Sequence, residues 1–242
     1  LESVEKGTQY ARYSFLGVNP KKVLIHQGGE TTILANGKIE NTEWSFIDLL
    51  HSITENYKTP AITDIPGFTG GLVGFLGYET ITWIEDIPIH DQDNISIPDA
   101  VFMLFEDMIA FDHLKGQVIV FSNVNIDHNS DLRKQYEVAV ARINQLGEYL
   151  HTDIDYQTPI KVEQSELHTN MKKHDFIKAV KIAKEHIEAG DIFQLVLSQR
   201  FHRHTTVESI NIYRALRSIN PSPYMFHFQL DNFQIIGASP EL

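Results

Sequence analysis

GDIFQLVLSQRF (Gly190–Phe201), NPSPYMF (Asn220–Phe226) and GASPE (Gly237–Glu241) are the strings that decide the reading of this chain. Gly190 follows an amphipathic run, and glycine ends helices because left-handed backbone geometry costs it little, so a strand is expected to start near Ile192. Alternation along that strand puts Gln194, Val196, Ser198 and Arg200 on one face. Tyr224 to Leu230 and Phe233 to Ile236, joined by Asp231-Asn232, read as a hairpin, because Asp and Asn tolerate positive φ. Its second strand runs through Gly237 to Glu241. A carboxamide and a carboxylate are thus carried on apolar strands, where an unpartnered polar group costs about 1–3 kcal/mol.

The segment outward from these strings is helix, strand, helix, hairpin. Phe176, Ile177, Val180, Ala183 and Ile187 form one face of the helix that Gly190 ends. Thr205 with Glu208 fits a capping box for a second helix through Ile212, Leu216 and Ile219. His151 to Asn170 is polar, contains Pro159 and shows no sustained period, which places a domain boundary there: 1–155 and 165–242.

The first part opens as a small antiparallel sheet: a strand in Ala11–Gly17, strands at Lys22–His26 and Glu30–Ala35, and a strong turn at Asn36-Gly37. Thr42 is expected to cap a helix to about Tyr57. GFTGGLVGFLGYE (Gly67–Glu79) lacks the Gly-Lys-Ser/Thr of a phosphate loop and does not fit GxGxxG, so Gly71, Gly74 and Gly77 read as sites of close backbone approach in a buried strand. Ala100–Ala110 and Gln117–Ser122 predict one long hairpin, followed by a helix to Leu150 capped by Asp127 or Ser130.

Composition excludes several classes. With 242 residues and 42% hydrophobic content the chain can bury a sizeable core, and no apolar run approaches the roughly 18 residues of a membrane span. The net charge of −12, with basic residues scattered, argues against nucleic acid and anionic membranes. The chain has no cysteine, which removes disulfides and thiolate chemistry and fits a reducing cytoplasm. It starts at Leu1 with no charged-then-apolar leader, and a trimmed start is expected. His202-x-His204 has metal-compatible spacing but no third ligand nearby, and reads as a solvated strand end. Asp91, Asp93 and Asn94 lack the glycine and distal glutamate of a calcium loop. No GxSxG nucleophile context occurs.

GDIFQLVLSQRF, NPSPYMF and GASPE, in this order and spacing, resemble the chorismate-utilising domain of anthranilate synthase component I. Gly70-Gly71, Gly74, Tyr78 and Glu79 resemble the glycine-rich signature of that family's amino-terminal domain. The resemblance covers essentially the whole chain but about the first half of the family's length. It implies an α+β fold of packed, mainly antiparallel sheets flanked by helices. It also implies that chorismate and ammonia, the latter from a glutamine amidotransferase partner, are converted to anthranilate and pyruvate.

By resemblance, Glu241 is the general acid that protonates the departing C4 hydroxyl. Gln194 occupies a position that is a water-activating lysine in relatives that hydrate chorismate, and a glutamine in those that aminate it. Ser3 of the Leu1-Glu2-Ser3 element, with Pro223, Tyr224 and Met225, resembles a regulatory site for tryptophan; a rigid helix-to-strand turn is the plainer reading of the two prolines. Mg2+ is the implied cofactor, with ligands expected beyond GASPE, so residues 1–242 are expected to be inactive alone. Two other readings stay open: aminodeoxychorismate synthase component I, and a non-catalytic module that binds tryptophan or the partner subunit.

Overall fold

The computed structural model describes residues 1–4, 12–60, 62–88, 95–153 and 165–239. In chain order its elements are β1 (Tyr13–Gly17), β2 (Lys22–Gln27), β3 (Glu30–Ala35), β4 (Lys38–Thr42), α1 (Phe46–Asn56), β5 (Gly71–Leu76), a 3-10 turn over Tyr78–Trp83, β6 (Ala100–Phe105), β7 (Asp107–Asp112), β8 (Gln117–Ser122) and α2 (Leu132–Leu150). They continue with β9 (His168–Thr169), α3 (Lys173–Ala189), β10 (Phe201–His202), α4 (Ser209–Ile219), β11 (Tyr224–Gln229) and β12 (Gln234–Ser239). All strand pairs are antiparallel, as expected for the α+β class. By packing, Leu1–Ile154 with Tyr213–Leu242 form one compact unit and Asp155–Ile212 a second.

The first unit holds a five-stranded sheet in the order β4-β3-β2-β6-β5. Asn36 and Gly37, both at positive φ, close the β3–β4 hairpin with Ala35 opposite Lys38. Helix α1 lays Phe46, Leu49 and Ile53 on Leu24, Ala100 and Leu104, each large apolar side chain contributing roughly 1.5–3 kcal/mol of burial. Its cap is Ser45, whose Oγ accepts from Asp48 N at 3.1 Å, whereas Thr42 belongs to β4. Sheet pairing claimed Thr42 before the helix could. A Cβ on Gly74 would collide with the Val101 carbonyl and reach 2.7 Å from Phe102 Cα, which explains the glycine at this strand crossing.

Ala100–Ala110 is not one arm of a single hairpin. The strand breaks at Glu106: β6 stays in the five-stranded sheet, and β7 joins a second sheet in the order β1-β7-β8. Glu106 is 7% exposed and is satisfied by Arg142 at 3.2 Å and Lys21 at 3.5 Å. A buried carboxylate with two cations fixes a corner that alternation cannot reveal. Helix α2 is capped by Asp131, which accepts from Arg133 N and Lys134 N, while Asp127 and Ser130 bond each other in the preceding loop.

In the second unit, α3 ends as expected at Gly190, in the left-handed conformation at φ 83°. The strand expected over Ile192–Arg200 does not form; only Phe201 and His202 pair, with Thr169 and His168. Among the described residues no strand offers 192–200 a ladder, and side-chain alternation without a partner for N–H and C=O groups does not make a strand. Phe193 and Val196 are accordingly 93% and 82% exposed. None of residues 165–212 is buried. His202 stacks on His168 with ring centroids 4.9 Å apart. The run Asp91, Asp93, Asn94, part of the 155–165 boundary and the end of GASPE lie outside the described residues.

Candidate functional site

Glu2 builds the place where the two ends of the chain meet. Its backbone bridges Ser14 of β1 on one side and Met225 of β11 on the other. With Met225 it exchanges two hydrogen bonds, each of 2.8 Å, and Val4 N donates to Ser222 O at 2.9 Å. One residue therefore joins the β8-β7-β1 ladder to the β11-β12 hairpin. The NPSPYM turn supplies the receiving edge: Met225 and Ser222 are 1% and 4% exposed, and the Ser222 hydroxyl bonds the Ser239 carbonyl and Tyr224 N.

The hairpin β11–β12 has the expected register, Gln229 opposite Gln234, with Leu230 N bonded to Phe233 O at 3.0 Å. Neither Asp231 nor Asn232 has positive φ, so the turn is not of the primed type those residues suggested. Gly237 faces Phe226, and a Cβ there would overlap the Phe226 ring. The glycine of GASPE thus lets an aromatic side chain lie across the neighbouring strand.

The Glu2 side chain is held by four hydrogen bonds. Arg217 donates from Nε and Nη2 at 2.8 and 2.9 Å, the Tyr213 hydroxyl at 2.8 Å, and the Ser14 hydroxyl at 3.1 Å. Ser14 Oγ also lies 2.7 Å from His113 Nε2. Burial pushes the Glu2 carboxyl up, but the bonds from Arg217, Tyr213 and Ser14 outweigh it and hold it below the usual carboxylate range. Burial and then the bond to Glu2 push the Tyr213 phenol up. Such a carboxylate is committed to structure. The serine sits between histidine and carboxylate, which is not the relay order of a nucleophilic triad.

Of the residues singled out in the sequence, Ser3, Pro223, Tyr224 and Met225 are brought together by this ladder. Leu1 lines a neighbouring cavity of about 630 Å³ of mixed polarity, with Phe15, Phe68 and Met108 among its apolar lining and Asn19, Gln229 and Asp231 among its polar lining; Ser3, Pro223, Tyr224 and Met225 do not line it. Gln194 lies in the second unit, exposed and outside any ladder. Glu241 lies outside the described residues; β12, the strand that precedes it in the chain, ends at Ser239. Glu2, Ser14, Tyr213 and Arg217 were missed, because nothing in local spacing couples residue 2 to residues 213 and 217. Among the described residues no three histidine or acidic side chains converge as metal ligands, so these residues do not by themselves make a Mg2+ site. Nor is any described helix long and apolar enough to cross a membrane.

A sequence profile of the chorismate binding enzyme family matches residues 2–242. The chain is 36% identical over 251 residues to anthranilate synthase component 1 of Acetivibrio thermocellus, covering all of this chain and 50% of that protein. It is 37% identical over 255 residues to the protein of the same name from Synechocystis, again covering 50% of it. The crystal structure of anthranilate synthase component I from Streptococcus pneumoniae superposes with a TM-score of 0.77 at 30% identity, covering 99% of this chain and 52% of that one. The chain thus spans about half the length of the relatives it matches, and over that span the fold and the sequence agree. It belongs to the chorismate binding enzyme family.

Proposed function

We propose that these residues are part of the large subunit of anthranilate synthase, a cytoplasmic enzyme that converts chorismate and ammonia to anthranilate and pyruvate. The observation that carries this reading is the likeness along the whole chain to proteins named anthranilate synthase component 1. A glutamine amidotransferase subunit is the proposed ammonia source. The boundary between 155 and 165 is proposed as the divide between an amino-terminal domain and the start of the chorismate domain.

Glu241 is proposed as the general acid. Hydroxide leaves poorly, so the C4 hydroxyl of chorismate departs as water when the carboxylic acid delivers its proton. A glutamic acid of ordinary pKa, about 4.3, is ionised at neutral pH, and a pocket shared with two substrate carboxylates raises it through like charge and desolvation. Gln194 is proposed to orient ammonia. A neutral amide cannot deprotonate a nucleophile, and ammonia needs no deprotonation before attack. Water does, and for that reason a glutamine at position 194 supports amination over hydration.

Ser3, Pro223, Tyr224 and Met225 are proposed to hold tryptophan as a feedback inhibitor. Support comes from the Glu2–Met225 pairing, which joins the segment carrying Ser3 to the strand carrying Tyr224 and Met225; proline, tyrosine and methionine are side chains suited to walling an indole. The test is the whole subunit with chorismate and ammonium, followed by anthranilate fluorescence. Turnover that is inhibited by tryptophan, and abolished in Glu241→Gln with tryptophan binding retained, is expected. A 4-amino product in place of anthranilate would instead identify the aminodeoxychorismate enzyme.

A further inference from the structure

The largest cavity among those described in the first unit, about 1030 Å³, lies at the start of α1, far in sequence from every residue assigned above. Its apolar wall is aromatic. Trp83 meets His26 edge-on with centroids 4.9 Å apart and lies 5.9 Å from Phe46, and Phe46 is 5.8 Å from His26. Trp44 and Ile84 add walls that are 54% and 76% exposed, an apolar surface of the kind that soluble proteins keep for a ligand.

The polar lining carries one sign. Glu30, Glu43 and Asp48 line the cavity, and no lysine or arginine does among the described residues. Glu30 and Glu43 have no ion pair among the described residues. The positive end of α1 opens here and works against a cation. It is offset locally: Ser45 caps the helix and donates its hydroxyl to Asp48 Oδ2 at 2.7 Å, which sets a carboxylate in the first turn. Aromatic faces and carboxylates together attract a charged group that is itself weakly hydrated. Quaternary ammonium groups fit that description, while metal ions and anions do not.

We propose that this cavity binds a small organic cation, an ammonium group on an apolar body, with Trp83 and Trp44 facing the cation, Phe46 buttressing Trp83 from the core, and Glu30 and Glu43 balancing its charge. The volume suits a ligand of drug-like size or smaller. The site is independent of the function proposed above, because it shares no residue with the Glu2 junction, Gln194 or Glu241.

The two tryptophans of the chain both line this cavity, so intrinsic fluorescence reports its occupancy directly. The probe is benzyltrimethylammonium, and its control is neopentylbenzene, the uncharged carbon isostere. Saturable quenching by the cation, at least about tenfold tighter than by the isostere, is expected. The doubly substituted Glu30→Gln, Glu43→Gln protein should bind the cation about tenfold more weakly with an unchanged melting temperature, since both side chains are exposed. Trp44→Ala, also at an exposed position, should weaken binding without unfolding the chain. Linear quenching, equal affinity for the isostere, or undiminished affinity in the double variant would each overturn the proposal.

Discussion

Replacing Glu2 by glutamine tests the junction between the two ends of the chain. The substitution keeps the backbone bridge and the side-chain volume but removes the charge that four donors share. The Tyr213 bond is a charge-assisted hydrogen bond in a partly buried setting, worth about 1.5–3 kcal/mol. Arg217 is 46% exposed and Glu2 15%, so solvent screening reduces the ion pair to about 0.2–1 kcal/mol despite its two-pronged geometry. The expected loss is therefore about 2–3 kcal/mol, or roughly 5–10 °C in the melting temperature of a chain this size. Both tryptophans lie in the first unit, so urea unfolding followed by their fluorescence reads the unit that contains the junction.

The pH dependence has a definite sign. Folding lowers the Glu2 pKa, so its contribution is full above the ordinary carboxylate range, about pH 4–5, and is lost as pH falls through the lower folded value. The gap between wild type and Glu2→Gln should thus be constant near neutrality and close in acid. Arg217→Met should cost less than Glu2→Gln, and the double variant should show positive coupling between the two sites. A Glu2→Gln protein that unfolds at the wild-type urea midpoint at pH 7 would refute the argument.

Gly74→Ala should destabilise the five-stranded sheet by at least about 1–3 kcal/mol, read by thermal denaturation, because the new methyl meets main-chain atoms that cannot rotate away. Asp112 is 2% exposed and takes hydrogen bonds from Arg12, Leu114 N and Lys115 N, which, led by Arg12, bring its pKa down to about 2. Asp112→Asn should lower the melting temperature at pH 7, and the difference from wild type should shrink between the ordinary carboxylate range and about pH 2. Ser3→Arg in the whole subunit should abolish tryptophan inhibition with little change in the uninhibited rate; an unchanged inhibition curve counts against the regulatory site. Residues 1–242, which span about half the length of the relatives they match, should not consume chorismate alone; anthranilate fluorescence from this chain would contradict that.

Local chemistry was legible where the cause was local. Asn36-Gly37 closed its hairpin, Gly190 stopped its helix, and Gly74 marked a close backbone approach, each for a reason contained in a few residues. The errors share a different physics. Whether Ala100–Ala110 runs straight or turns a corner depends on Arg142 and Lys21 reaching Glu106 from elsewhere. Whether Ile192–Arg200 is a strand depends on a neighbour that alternation does not specify. Caps slipped by one to four residues, from Thr42 to Ser45 and from Asp127 or Ser130 to Asp131, because several nearby side chains could each accept the free N–H groups. The pairing of the Leu1-Glu2-Ser3 segment with Met225 runs through Glu2, whose partners Tyr213 and Arg217 lie more than 200 positions away.

That separation has a consequence for how the molecule is made. Met225, with which Glu2 exchanges both hydrogen bonds, leaves the ribosome 223 residues after it. At about 5–20 residues per second, the interval is roughly 10–45 s, long compared with the microseconds in which the β3–β4 hairpin can close. During vectorial synthesis Glu2 must wait, its carboxylate hydrated and its edge of β1 open, until the β11–β12 hairpin arrives to complete the sheet.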